Sequence, residues 1–527
     1  MSTAIDEWGT DVSVVDMEGV PFRMYRNRPQ RLGSLLAFAN RWGHRPHIVQ
    51  GERVVSFSDL RSAIAAQATD LRRLGIRAGD RVMILGWNSP EWITNFWASV
   101  AAGAVPVLAN AWWSPNELED ALDRIAPSLV LADERNARRI PAGWETGSWT
   151  APADGSSEVE AAEVKGDENE PAVIIFTSGT ERRPKAVVLS HRSLLAGLHM
   201  LLHITKRLPQ QIGEETGEAA LHTGPMFHIG GVQTLLRAIT VGDTLVMPSG
   251  RFDPEEALRL IEEWKIRRWS AVPTMVSRLL EHPDVQTRNL RSLRSLTVGG
   301  APVHAEFLER IRTGLPGVEP RIATGYGLTE NGGQAVAASG KDTTDRPGTT
   351  GKPLPCVEIT IATAAEFDAG EILVRSPTQM SGYIGEDESS IDSEGWLHTG
   401  DLGHLDDDGY LWITGRSKDM IIRGGENIAP SAVEAVLAQL PMVSESVVFG
   451  VPHPDLGEEV MAIVVAPGAT ADELRTGLHG RLASFAVPSR WNIRTKPLPL
   501  NHAGKIDRAT LVAEGRAEVV STGGAGT

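Results

Sequence analysis

The amino-acid sequence predicts an α/β protein: a large N-terminal region of mostly parallel sheets flanked by helices plus a small β subdomain, followed by a small C-terminal α/β unit. Short apolar runs alternate with helical patterns in the first part, bare β-type runs precede position 416, and a fresh alternation begins after it. Asp80–Gly86 reads as a strand, Trp92, Phe96 and Val100 share one helical face, and Val105–Leu108 is again a strand, which makes a βαβ unit. The alternation recurs at Ser128–Ala132, at Thr244–Met247 followed by a helix over Pro254–Lys265, and at Leu296–Val298. Runs that are apolar throughout suit parallel strands covered on both faces. Asp154–Glu170 is rich in Asp, Glu, Gly and Ser, with Lys165 its only basic residue, and reads as a solvated loop. Glu371–Val374 and Tyr410–Ile413 form the small β subdomain; Ala432–Gln439 reads as a helix, and Ser446–Phe449 and Val460–Val465 as strands. The tail after Glu514 lacks apolar periodicity, so residues 515–527 are expected to be disordered.

A chain of 527 residues with 41% hydrophobic and 22% charged residues is that of a globular protein of two or three domains. No apolar stretch approaches the ~20 residues a membrane span needs. Asp6, Glu7, Asp11, Asp16 and Glu18 precede any basic cluster, so neither a secretory signal nor a transit peptide is expected, and the predicted address is cytoplasmic. The single cysteine, Cys356, cannot close an intramolecular disulfide and reads as a small buried hydrophobe. A net charge of −16 argues against a nucleic-acid partner, since phosphate backbones are bound through clustered Lys and Arg. Homo-oligomerisation is left open.

The most informative segment is Thr177-Ser178-Gly179-Thr180-Glu181-Arg182-Arg183-Pro184-Lys185-Ala186, which follows the strand-like run Ala172–Phe176. A turn of small residues after a buried strand lets backbone N–H groups approach phosphate oxygens while a lysine neutralises their charge. It is not the Walker loop, since Lys185 follows Pro184 and precedes Ala186. Taken alone, it fits an ordinary surface turn as well as a phosphate-gripping loop.

Four further segments follow in order: Pro225-Met226-Phe227-His228-Ile229-Gly230-Gly231; Gly325-Tyr326-Gly327-Leu328-Thr329-Glu330; Thr399-Gly400-Asp401 with Gly415-Arg416-Ser417-Lys418-Asp419; and Asn501-His502-Ala503-Gly504-Lys505-Ile506-Asp507. With the phosphate loop, this series resembles the adenylate-forming superfamily, in its acyl-CoA synthetase (fatty-acid–CoA ligase) branch, from about Leu32 to about Leu511. The resemblance implies activation of a carboxylic acid other than an amino acid, since after Phe227 no aspartate is offered to pair an ammonium group.

What the resemblance implies about the site can be stated residue by residue. Thr177, Ser178, Gly179, Thr180 and Lys185 would hold the β- and γ-phosphates of ATP, with Arg182 and Arg183 adding local positive charge. Thr329 would lie beside the α-phosphate, and Glu330 would be the carboxylate associated with Mg²⁺, a cation that prefers hard oxygen ligands. Gly300, Ala301 and Pro302, after Gly299, would wall the adenine, with Tyr326 stacked on the base; Asp401 would accept the ribose hydroxyls, partnered by Arg416. Residues 1–416 would form the adenylation core, 417–418 a hinge centred on Lys418, and 419–514 a mobile lid. In one lid position Lys505 would reach the carboxylate and α-phosphate; in the other, Gly424, Gly425 and Glu426 would line a tunnel for CoA. His228 would gate an acyl pocket built around His228–Gln233, Val298–Ala301, Ala323–Gly325 and Asn331–Gln334, with Trp112 and Trp113 either at its entrance or in the core.

The expected substrate is a fatty or other hydrophobic acid, which is converted with ATP to an acyl-adenylate and then with CoA to an acyl-CoA. Two alternatives remain at this stage: an acyl-AMP ligase serving a carrier protein, whose lid-hindering insertion is not evident between Arg416 and Lys505, and a catalytically weak nucleotide or acyl binder. The second is suggested by Glu181, Arg182 and Ala186, which stand where the family usually has Thr-Gly and Gly and predict a stiffer loop with slow adenylation.

Overall fold

The computed structural model describes residues 7–150, 166–177, 184–213, 217–301, 303–315, 317–318, 321–362, 369–386, 389–501 and 503–523. A seven-stranded and a nine-stranded sheet make up most of the first 400 residues. In the first, Arg81–Leu85, Val105–Ala109, Leu129–Ala132 and Pro171–Thr177 run parallel. Lys185–Ser190 and the short strand Gly382–Tyr383 add antiparallel strands at one edge. In the second, parallel strands from Pro46–Gln50 to Arg321–Leu328 end in an antiparallel turn-back onto Gly333–Ser339. Helices cover both faces, as the uniformly apolar strands require.

The predicted βαβ unit is observed as Arg81–Leu85, a helix over Pro90–Ala102 and Val105–Ala109. That helix starts where Ser89 accepts a hydrogen bond from the Trp92 N–H with Pro90 in the first turn, and it stops at Gly103 in the left-handed conformation. Its Trp92, Phe96 and Trp97 have no exposed surface. At roughly 2–3 kcal/mol per fully buried large apolar side chain, they anchor the helix between the two sheets.

The small β subdomain is a four-stranded sheet of Glu358–Ala362, Gly370–Arg375, Leu397–Leu405 and Leu411–Arg416. A short helical turn, Ser417–Asp419, leads from it into a five-stranded sheet whose central pair is Glu445–His453 and Gly457–Val465. No helix of the described residues is long and apolar enough to cross a membrane.

Two sequence expectations need correction. Part of the acidic segment is not simply solvated: Glu168 pairs with Arg28 at 2.6 Å, both largely buried, and Glu170 pairs with Arg31 at 2.6 Å. The remainder, 151–165, lies outside the described residues. The tail does not become irregular at 515, because a helix runs over Arg508–Gly523. Leu511, Val512 and Val519 pack with Val447, Phe449 and Met461 of the C-terminal five-stranded sheet, and tertiary packing supplies what the weak periodicity of this segment lacks. Cys356 is buried as expected, at 1% exposure, and burial pushes its thiol up to about 12.

Candidate active site

Asp401 and Arg416 face each other across the antiparallel strands Leu397–Leu405 and Leu411–Arg416. The Arg416 Nε–H donates to Asp401 Oδ1 at 2.7 Å, and the Tyr326 hydroxyl donates to Asp401 Oδ2 at 2.7 Å. Asp401 is 5% exposed and Tyr326 8%, whereas the Arg416 side chain is about half exposed. Burial raises the Tyr326 phenol well above its ordinary range, and the adjacent carboxylate adds to the shift, so it stays a donor. Burial works against the Arg416 charge, but Asp401 outweighs it and the guanidinium is held above its usual value. Each carboxylate oxygen retains a lone pair, so the pair can still accept from a diol.

A second cluster forms where Gly382–Tyr383 pairs with Lys185–Ser190. Lys185 stands opposite Thr177 at the base of the phosphate loop, and its ammonium lies 4.8 Å from the centre of the Tyr383 ring and 2.7 Å from Glu386 Oε2. The Tyr383 hydroxyl donates to Glu330 Oε1 at 3.1 Å, and burial together with the Glu330 charge raises that phenol strongly. Glu330 sits on the helical turn Thr329–Asn331 that follows Arg321–Leu328. Ser178, Gly179, Thr180, Glu181, Arg182 and Pro302 lie outside the described residues. Ala186 is fully buried in a strand opposite Phe176, so it does not stiffen the loop as its sequence position suggested.

The third element is the turn carrying Lys505. Asn501 Oδ1 accepts from the N–H of Ala503 (3.0 Å) and of Lys505 (3.1 Å), which fixes the turn. Lys505 is half-buried and runs against Gly300, where an added Cβ would lie 3.1 Å from Lys505 Cε and 3.3 Å from Nζ. Gly300 has φ +77°, so glycine answers both the backbone conformation and the close approach. Burial, and secondarily the Arg416 charge, lowers the Lys505 pKa. Lys418 is exposed on the turn after Arg416, and Gly424, Gly425 and Glu426 are exposed on the hairpin Ile421–Arg423/Glu426–Ile428. Lys505 therefore faces the core while the Gly424–Glu426 turn faces solvent.

His228 is the N-terminal boundary residue of the helix Ile229–Val241 and packs on Phe227, with ring centroids 4.8 Å apart. Trp112 meets Phe227 edge-on at 5.5 Å and Trp87 at 4.5 Å, making one continuous aromatic panel. Trp113 instead turns into the core against Phe176. Asn88 holds the motif in place, donating to the Gly224 carbonyl at 2.7 Å and accepting from the Met226 N–H at 2.9 Å. Apart from their own chain neighbours and local helix backbone, the described residues place no atom within 4 Å of a Cβ added at Gly230 or Gly299, so both open onto free space.

Sequence reading missed Tyr383, Glu386, Trp87 and Asn88. Tyr383 had a usable signal: the chain has only 4 tyrosines, and this one directly follows the polar, turn-prone pair Ser381-Gly382.

Residues 35–384 match the family model of the AMP-binding enzyme, and residues 432–505 match that of the AMP-binding enzyme C-terminal domain. The chain belongs to the AMP-binding enzyme family. It is 35% identical over 497 residues to a 3-[(3aS,4S,7aS)-7a-methyl-1,5-dioxo-octahydro-1H-inden-4-yl]propanoyl:CoA ligase of Mycobacterium tuberculosis, covering 88% of this chain and 94% of the relative. It is 32% identical over 480 residues to a feruloyl-CoA synthase of Amycolatopsis, with the same coverage. Among solved structures it is similar to o-succinylbenzoate CoA synthetase from Bacillus subtilis with its acyl-adenylate, at TM-score 0.78 and 28% identity over 90% of this chain and 97% of that one. This AMP-binding enzyme is an acid:CoA ligase that uses ATP, Mg²⁺ and CoA. The residues present fit the cation: Glu330 spends one carboxylate oxygen on Tyr383, whose ring also carries Lys185, and its Oε2 has no hydrogen-bond partner among the described residues, which leaves a hard oxygen donor.

Proposed function

We propose that this ligase activates a ring-bearing hydrophobic acid, with the ring lying against the panel of Trp87, Trp112, Phe227 and His228. The observation that carries this reading is the panel itself, which borders the motif ending in the open space at Gly230. Edge-on aromatic surfaces favour flat or polycyclic groups by about 0.5–1.5 kcal/mol per pair beyond simple burial. The relatives named above also act on ring-bearing acids.

In this reading Asp401 accepts the ribose hydroxyls with Arg416 fixing its orientation, and Tyr326 holds the second carboxylate oxygen beside the adenine wall of Gly300 and Ala301. The acid's carboxylate oxygen attacks the α-phosphorus, a P–O bond forms as the bond to pyrophosphate breaks, and Lys505 neutralises charge shared by the two anions. Thr329 lines the same approach. Mg²⁺, when bound at Glu330, neutralises phosphate charge. The thiol of CoA then attacks the acyl carbon, loses its proton, and AMP departs. That step belongs to the lid position in which Gly424, Gly425 and Glu426 line the thiol's path, with Lys418 as the hinge between residues 1–416 and 419–514.

Acid-dependent pyrophosphate release in the presence of CoA, compared between straight-chain and aryl or alicyclic acids of equal carbon number, tests the substrate class. The ring-bearing acids should show the higher kcat/KM, and Trp112→Ala should erase roughly three- to tenfold of that preference. A preference for straight-chain acids in the unmodified enzyme would refute it.

Lys185 must leave Glu386 to reach a phosphate. Their pair is partly exposed, so releasing it costs about 1 kcal/mol or less. Glu386→Gln is expected to lower KM for ATP by about two- to fivefold with kcat little changed, and steady-state kinetics with ATP varied would show it.

A further inference from the structure

We infer that Thr274, at the start of the helix Pro273–Glu281, is the latch that holds the lid in its adenylate-forming position, a proposal that rests on the role given to Lys505 above. The Thr274 hydroxyl donates to the carbonyl of Gly504, the residue immediately before Lys505. Among the described residues it makes the sole hydrogen bond between the 501–505 turn and the core.

The surrounding contacts make this a built receptor. Gly504 has φ +75°, and a Cβ there would lie 2.7 Å from Met275 Cε and 3.5 Å from Val272 Cγ2, so the turn fits closely over the first turn of this helix. Val272 also flanks the space between Gly300 and the Lys505 side chain. The Met275 sulfur in turn accepts from the Thr223 hydroxyl at 3.3 Å, and Thr223 accepts from the Trp269 indole N–H at 3.1 Å. Thr223 lies five residues before His228 on the segment that leads into the aromatic panel. The latch is thereby tied to the acyl side of the core, not to a free surface loop.

Nothing in Thr274 touches a reacting atom, so it is a positioning residue. When Lys505 leaves the site its turn must leave Thr274 too, and the hydrogen bond therefore favours one lid position over the other. Losing it should reduce the population of the adenylate-forming position by the Boltzmann factor of one net hydrogen bond, roughly three- to tenfold.

The test measures both half-reactions separately in Thr274→Val, Thr274→Ser and Lys505→Ala. Valine keeps the shape and removes the hydroxyl; adenylate formation from acid and ATP should fall roughly three- to tenfold, thioester formation from supplied acyl-adenylate should be unchanged or faster, and serine should restore the first rate. Equal losses in both half-reactions for Thr274→Val, or no loss in adenylate formation, would overturn the latch. If Lys505→Ala separates the half-reactions and Thr274→Val does not, the latch falls and the Lys505 assignment stands. If Lys505→Ala fails to separate them, both fall.

Discussion

Lys505→Ala will lose about 10²- to 10³-fold in adenylate formation from acid and ATP, while thioester formation from a supplied acyl-adenylate stays nearly intact. The lysine is half-buried against Gly300, with Arg416 close enough to act on its charge, and truncation removes its ammonium from that position. Its mobile-lid placement predicts that the second half-reaction proceeds without it. The same residue sets a pH signature. Burial and Arg416 lower its pKa below the ordinary ~10.4 of lysine. Activity that needs the ammonium is present below the shifted pKa and is lost as pH rises through it, so the alkaline limb of kcat/KM for adenylation should fall earlier than for a free lysine. Thioester formation should lack that limb. An equal loss in both half-reactions, measured by rapid quench, would sink the assignment.

Lys418→Pro should show the opposite asymmetry, with overall turnover reduced by at least about tenfold while a single round of adenylate formation survives. Lys418 occupies the helical turn Ser417–Asp419, and turns of this kind generally take φ of about −50 to −70°, a range that includes the −65° proline imposes. The observed backbone is on that ground compatible with proline. A second position reached by changing that torsion is not. Adenylate would form and accumulate on the enzyme, which a quenched single-turnover experiment with labelled acid detects. Normal steady-state turnover would place the hinge elsewhere.

The parts of the site legible in sequence were those carried by short contiguous motifs. Thr329 and Glu330 open the turn after a strand, Lys505 sits in the turn that Asn501 holds, and Asp401 and Arg416 lie opposite each other on paired strands, each just after a glycine, Gly400 and Gly415. The tail was misread for the converse reason: Arg508–Gly523 has little periodicity of its own and is helical because the lid sheet offers Val447, Phe449 and Met461 for it to pack on. Ala186 was misread as part of the loop because a loop's end is set by where strand pairing begins, and Phe176 pairs with it.

The sequence by itself determined the α/β class and the alternation of strands and helices, since these depend on local propensity and burial pattern, and its motifs pointed to the family. Only the tertiary structure decided which distant side chains converge. Glu386 meets Lys185 across 201 residues, and Thr274 reaches Gly504 across 230. Trp112 and Trp113, adjacent in sequence, separate to the aromatic panel with Phe227 and to the core against Phe176. The pairing of Glu386 with Lys185 follows from the antiparallel register of Gly382–Tyr383 on Lys185–Ser190, and that of Thr274 with Gly504 from the close fit of the Gly504 turn over the start of the helix Pro273–Glu281; no local pattern encodes either.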